Sequence, residues 1–249
     1  MINALLSYLV DGGYLKANPL SLVRRRHRTL QPDAKETFSQ ERYLDQATWG
    51  HLKAYIAALP QETERQIQRF ERTRFLFHFL YLLAPRVSEV ASHPMNSIRE
   101  NRGRWWWFAL GKGQKRAKVP VSDEMLDALM RYRAFLGLTA LPDPDDLSPM
   151  LRSLKGTKAI SANMVYRIVK QTVTAAAEAI EDAAPVSAAK LRKASTHWLR
   201  HTAVTHADDA GVNLKYLQAS ARHEKVETTA IYQHAEDYIW HEAWQRLRF

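Results

Sequence analysis

The sequence predicts a mainly α-helical protein with one small antiparallel β-sheet, an α+β fold, and three observations carry that prediction. Apolar residues recur at helical spacing in most segments, one short aromatic run turns back on itself through glycines, and no internal repeat or low-complexity stretch interrupts the 249 residues. The length allows one large domain or two small ones. With 46% apolar and 25% charged residues, the composition is that of a folded protein able to bury a sizeable core.

Taken in order, residues 2–10 read as the end of a helix stopped by Asp11-Gly12-Gly13, after which Asn18-Pro19 and the cluster Arg24, Arg25, Arg26 read as an exposed basic linker. Trp49, Leu52, Ile56 and Leu59 share one helical face, with Asp45 as N-cap and Pro60 beyond the end. A second helix covers 64–84. Its run Phe75–Ala84, interrupted by His78, is half the length needed to cross a bilayer and reads as a buried core helix. A third starts near Arg86 and is stopped by Pro94. The period then changes. Residues 104–110 are aromatic enough for a strand, Gly111-Lys112-Gly113-Gln114 is a turn, and 116–121 return with alternating Val119 and Val121, which makes a β-hairpin. Ser122 caps a helix to about Leu136, and Leu141–Asp146 is a surface loop. Val165, Ile168, Val169, Val173 and Ala176 mark another helix, and 183–193 read as a small, basic loop. Short helices follow near 197–210, 214–221 and 227–235, and a last amphipathic one holds Ile239, Ala243, Trp244 and Leu247.

The composition also excludes functions. Without cysteine there is no disulfide scaffold, thiol nucleophile or thiolate zinc site, and the chain fits a reducing cytoplasm. The first residues, Met1-Ile2-Asn3-Ala4-Leu5, lack a basic region followed by a small-residue cleavage site, so secretion is not signalled. A net charge of +10 leaves nucleic acid, an anionic membrane or an acidic protein as partners. Residues 99–118 hold seven Lys/Arg against one acid and flank a Gly-rich turn, and Lys190, Arg192, Lys193 and Arg200 form a further cluster. Three separate basic clusters suit a phosphate backbone better than a membrane surface, which calls for one amphipathic basic face.

Four patterns bear on chemistry. Arg86 stands three residues before Glu89, which can orient its guanidinium. Lys112 occupies the hairpin turn. His197 and Arg200 share a helical face able to hold one phosphate. His197 and His201 also have zinc-binding spacing, but Trp198 stands where a zinc protease carries Glu, so no metal site is expected. Finally, Arg222-His223 precede Thr228-Thr229 and Tyr232. Each pattern alone is most simply a surface pair, a solvated turn or a packing residue.

As an ordered set of Arg86, Lys112, His197, Arg200, His223 and Tyr232, the chain resembles the tyrosine recombinase (phage integrase) family over roughly residues 36–240. The resemblance implies the catalytic-domain fold of that family for 36–249, and for 1–35 the end of an N-terminal core-binding (SAM-like) domain plus linker. It implies site-specific recombination without metal, ATP or other cofactor. Tyr232 would attack the scissile phosphate to form a 3′-phosphotyrosyl link, His197 would take its proton, Lys112 would protonate the leaving 5′-oxygen, and Arg86, Arg200 and His223 would hold the non-bridging oxygens. Glu89 would orient Arg86. Arg102, Arg104, Lys115, Arg116, Lys193 and Arg24–Arg26 would meet the DNA backbone. The implied partners are double-stranded DNA and other copies of the chain in a tetrameric synapse, joined through the C-terminal helix unless that helix packs on its own domain. A bacterial or phage-encoded, nucleoid-associated protein of the cytoplasm would fit, with no membrane. The front is shorter than in the family, as in a shortened chain or a naturally short member. Arg222 stands where Gly is usual, and Pro85 is atypical. Other readings are a non-catalytic DNA-binding or regulatory module on the same fold and a type IB-like topoisomerase.

Overall fold

A computed structural model describes residues 2–18, 42–110, 116–213, 216–217 and 240–249. The chain divides into two units, Met1–Glu41 and Arg42–Phe249. In the first, helix α1 (Ile2–Asp11) ends as expected at the glycines, where Gly12 donates to the Tyr8 carbonyl and Gly13 takes φ +74°.

The second unit is built around α3 (Glu64–Leu82), opened by a capping box in which Thr63 and Gln66 satisfy each other's backbone N–H groups. Residues 75–82 of α3 are buried on every side, because other elements enclose the helix all round. Helix α2 (Gln46–Ala57) starts at Asp45, whose Oδ1 accepts from the Thr48 N–H at 2.8 Å. Its Trp49 stacks on Tyr81 with ring centroids 4.4 Å apart. A short helix α4 (Val87–Ser92) and a 3₁₀ turn (Met95–Ser97) lead into the sheet.

The sheet has three antiparallel strands in the order β1 (Ile98–Asn101), β2 (Arg104–Leu110), β3 (Arg116–Pro120). The β2–β3 hairpin is the expected one. Strand β1 is an addition, joined to β2 by the two-residue turn Arg102-Gly103 with φ +56° and +75°, the positive angles that a tight hairpin requires. Successive strand residues face opposite ways, yet Trp106 and Trp107 are both buried, so β2 is covered on both faces. Trp107 meets Phe79 of α3 edge-on at 5.2 Å, and Trp106 meets Trp240 at 5.5 Å.

Helices α5 (Asp123–Phe135, capped by Ser122), α6 (Ala162–Ala179, capped by Ser161) and α8 (Thr196–Asp209) complete the expected set. Residues 183–193 differ from the sequence reading. Most of that stretch is helix α7 (Pro185–Lys193), started by Pro185 at the first helical position and held by the burial of Ala188 and Leu191. Lys170 donates to the carbonyls of Arg192 and Ala194 at its C-terminal end. Lys190 pairs with Asp45. Burial works to raise the Asp45 carboxyl, but bonds from Lys190 and Thr48 outweigh it and hold the pKa at about 2.

The expected helices at 214–221 and 227–235 lie outside the described residues, apart from 216–217, and so does Ile239. The terminal residues 240–249 pack within their own unit. Trp244 is buried and donates from Nε1 to the Leu82 carbonyl at 2.8 Å, Leu247 is buried, and the Phe249 ring stacks on His78 at 3.6 Å. Trp244 and Leu247 of the C-terminal segment are thus covered by their own unit. Among the described residues no helix is long and apolar enough to cross a membrane.

Candidate active site

The site grows from the break between α3 and α4. Pro85 has no N–H and restricts the residue before it. Ala84, fully buried, takes φ +44°, a conformation that costs a non-glycine residue about 1–2 kcal/mol. Arg86 then serves as N-cap of α4, and Glu89 reaches back one turn. Glu89 Oε2 accepts from the Arg86 backbone N–H at 2.6 Å, and Oε1 accepts from Arg86 Nη1 at 3.3 Å. The Glu89 side chain is 3% exposed and that of Arg86 39%. A buried carboxylate therefore fixes the base of a guanidinium that is open to solvent on one side.

Helix α8 brings the second arginine. Leu199, Thr202 and Ala203 bury one face of α8, and Thr202 Oγ1 accepts from the Leu44 N–H at 2.9 Å. The same helix carries Arg200, whose Nη1 donates to the Ala84 carbonyl, 116 positions earlier in the chain and two residues before Arg86. Both arginines thus belong to one corner, where Ala84 turns the chain. His197, one helical turn before Arg200, is exposed, and its Nε2 lies 2.8 Å from Nε2 of His201 with the rings nearly perpendicular. One of those nitrogens carries the proton and the other accepts. Partial burial, then the charges of Arg200 and Arg42, hold the His197 pKa below the ordinary imidazole value. This favours the neutral imidazole, the state that a proton acceptor needs.

The structure also joins this corner to the sheet through His93, which the sequence reading passed over. His93 Nδ1 lies 2.7 Å from the Glu89 carbonyl oxygen, and its Nε2 accepts from the Leu110 N–H at 2.7 Å. Both partners are backbone groups, which carry no signature in sequence.

Lys112, His223 and Tyr232 lie outside the described residues, as do Arg24, Arg25, Arg26, Lys115 and Arg222. Their flanks are described. Leu110 and Arg116 pair across the ends of β2 and β3, bracketing Lys112. Leu217 and Trp240, both buried, bracket the segment with His223 and Tyr232, and the Tyr216 ring lies parallel to the Trp240 ring at 6.0 Å. Of the expected backbone-contacting cations, Arg102, Arg116 and Lys193 are exposed. Arg104 instead meets Glu242 Oε1 at 3.2 Å and His241 Nδ1 at 3.1 Å within its own unit. Among the described residues no group of three or more His, Asp or Glu side chains is placed to hold a metal ion.

Residues 55–238 match the model of the phage integrase family. The chain is 29% identical to a tyrosine recombinase of Synechococcus elongatus over 196 residues, covering 77% of this chain and 55% of that one. It is 28% identical to the tyrosine recombinase XerC of Mycobacterium bovis over 233 residues, covering 94% and 69% respectively. In fold it is similar to the integrase from mycobacterium phage Brujita, with a TM-score of 0.54, 18% identity, and 99% of this chain and 69% of that one covered. The XerH site-specific recombinase in its pre-cleavage complex with difH substrate gives a TM-score of 0.51 at 17% identity, over 79% of this chain and 53% of that one.

Proposed function

The chain belongs to the phage integrase family, and from that premise we propose that it recombines DNA at specific sites by cleaving and rejoining strands through a covalent tyrosine intermediate. The observation that carries this reading is the long-range bond from Arg200 to the Ala84 carbonyl, which brings Arg200, on the helix that also carries His197, to the turn two residues before Arg86. Two guanidiniums match the geometry of phosphate oxygens, and their fixed charge stabilises a crowded phosphoryl transition state without reorganisation.

In the proposed step the Tyr232 hydroxyl attacks the scissile phosphorus as its proton passes to His197. A phosphorus–oxygen bond to tyrosine forms and the bond to the 5′-oxygen breaks. Lys112 gives that oxygen a proton, so a 5′-hydroxyl leaves and a 3′-phosphotyrosyl link remains. Phenol has a pKa of about 10, so attack near neutrality requires an acceptor such as the His197 imidazole. His223 adds a donor to a non-bridging oxygen. Because one ester replaces another, the step needs neither ATP nor a metal. Rejoining is the reverse, with a new 5′-hydroxyl as nucleophile. Exposed Arg102, Arg116 and Lys193 would meet the duplex backbone, and several copies of the chain would gather on the DNA for exchange. Residues 1–35 would serve as the end of a DNA-clamping domain and its linker.

The test uses nicked suicide duplexes drawn from DNA flanking the gene. Wild-type protein should give an SDS-resistant protein–DNA adduct and Tyr232→Phe should give none. Binding without an adduct on every duplex would leave the non-catalytic reading instead.

A further inference from the structure

His93 is buried between the last turn of α4 and the end of β2. A backbone N–H only donates and a carbonyl only accepts, so the Leu110 and Glu89 contacts fix its tautomer, with which the Ser92 hydroxyl 3.3 Å from Nδ1 is compatible. Nδ1 carries the proton and donates to the Glu89 carbonyl, while Nε2 accepts from the Leu110 N–H. The second contact replaces a missing strand. β1 begins at Ile98, paired with Trp107, so residues 108–110 of β2 have no β1 neighbour, and the imidazole supplies the acceptor that the ladder lacks at Leu110. Trp107 packs edge-on against the ring at 5.5 Å.

The first contact leads to the phosphate corner, because the residue whose carbonyl His93 holds is the one whose carboxylate holds Arg86. One side chain thus joins the helix that carries Arg86 to the strand end two residues before Lys112. A hydrocarbon of similar size would fill the space and make neither bond.

We propose that His93 is a positioning residue for strand cleavage. It holds the end of β2, two residues before Lys112, against the helix that carries Arg86, and so acts on the protonation of the leaving 5′-oxygen. This rests on the reading of Lys112 as the group that protonates that oxygen.

The experiment uses the duplex that yields the Tyr232 adduct, prepared with either oxygen or sulfur as the bridging 5′-atom. A thiolate leaves without help because thiols are far more acidic than alcohols. On the oxygen duplex, His93→Leu should slow single-turnover cleavage by about tenfold to hundredfold. On the sulfur duplex it should run close to the wild-type rate, which also shows that the variant is folded. His93→Gln, able to present Oε1 to the Leu110 N–H, should keep most of the oxygen-duplex rate. His93→Asn, able to reach only the Glu89 carbonyl, should not. A His93→Leu variant equal to wild type on oxygen, or equally slow on both duplexes, overturns the proposal. Lys112→Ala separates the two readings. If sulfur does not relieve its defect, the role of Lys112 fails and the proposal falls with it. If sulfur relieves Lys112→Ala but not His93→Leu, only the role of His93 fails.

Discussion

Replacement of Glu89 tests how the Arg86 corner is held. In Glu89→Ala the Arg86 N–H loses an acceptor at 2.6 Å and the guanidinium loses its contact at 3.3 Å. A hydrogen bond to a charged group contributes about 1.5–3 kcal/mol net. A carboxylate in the first helical turn adds about 0.3–1 kcal/mol. The pair with Arg86, 39% exposed, is screened by solvent and adds little. The expected loss is therefore about 2–3 kcal/mol, or roughly 5–10 °C in Tm for a chain of this size. Glu89→Gln keeps an acceptor and gives up the charge, so it should lose about 1 kcal/mol. Urea unfolding followed by tryptophan fluorescence at neutral pH measures both. Cleavage should fall in the same order, Ala further than Gln, because Arg86 is less well held in each. A Glu89→Ala protein with the wild-type urea midpoint would refute the claim that this carboxylate organises the corner.

Two further predictions concern pH. Burial, then the charges of Arg74, Arg131 and Lys53, push the His78 pKa down to about 4 against its bond to the Arg74 carbonyl. The unfolded chain therefore binds the proton first, so the stability from neutral His78 is full above about pH 6.5 and is lost as pH falls towards about 4, by about 3 kcal/mol in all. The urea midpoint of His78→Gln should depend less on pH between 5 and 7, and an unchanged dependence would count against the assignment. The charge of Arg42 helps to hold the His197 pKa down. Arg42→Ala should therefore shift the acid limb of the cleavage-rate profile to higher pH, and a limb that stays in place would deny His197 the role of proton acceptor.

Much of the fold was legible because its signals are local. Asp45 and Ser122 cap the helices they were expected to cap, and the apolar run 75–82 is enclosed as a long unbroken run should be. Strand β1 escaped notice because Ile98 is its one apolar residue, and its strand character comes from pairing with β2 rather than from its own pattern. Helix α7 was missed because small and basic residues mask a start that Pro185 alone announces. At the site, the order of residue types could be read, and so could the Arg86–Glu89 pairing. The meeting of Arg200 with Ala84 could not, since it spans 116 positions and ends on a carbonyl that any residue possesses.

The parallel rings of Tyr216 and Trp240 have a consequence for Tyr232, the proposed nucleophile. Leu217 and Trp240 are anchored in the same unit, so the 22 residues between them begin and end at neighbouring points. Tyr232 stands eight residues before Trp240, and at about 3.5 Å per residue its Cα stays within roughly 28 Å of that anchor. One phenol confined to such a sphere has a local concentration on the order of 10 mM, whatever the amount of protein in solution. As the proposed nucleophile, Tyr232 is in this sense a tethered reagent, whose reach is bounded by the number of residues between it and Trp240.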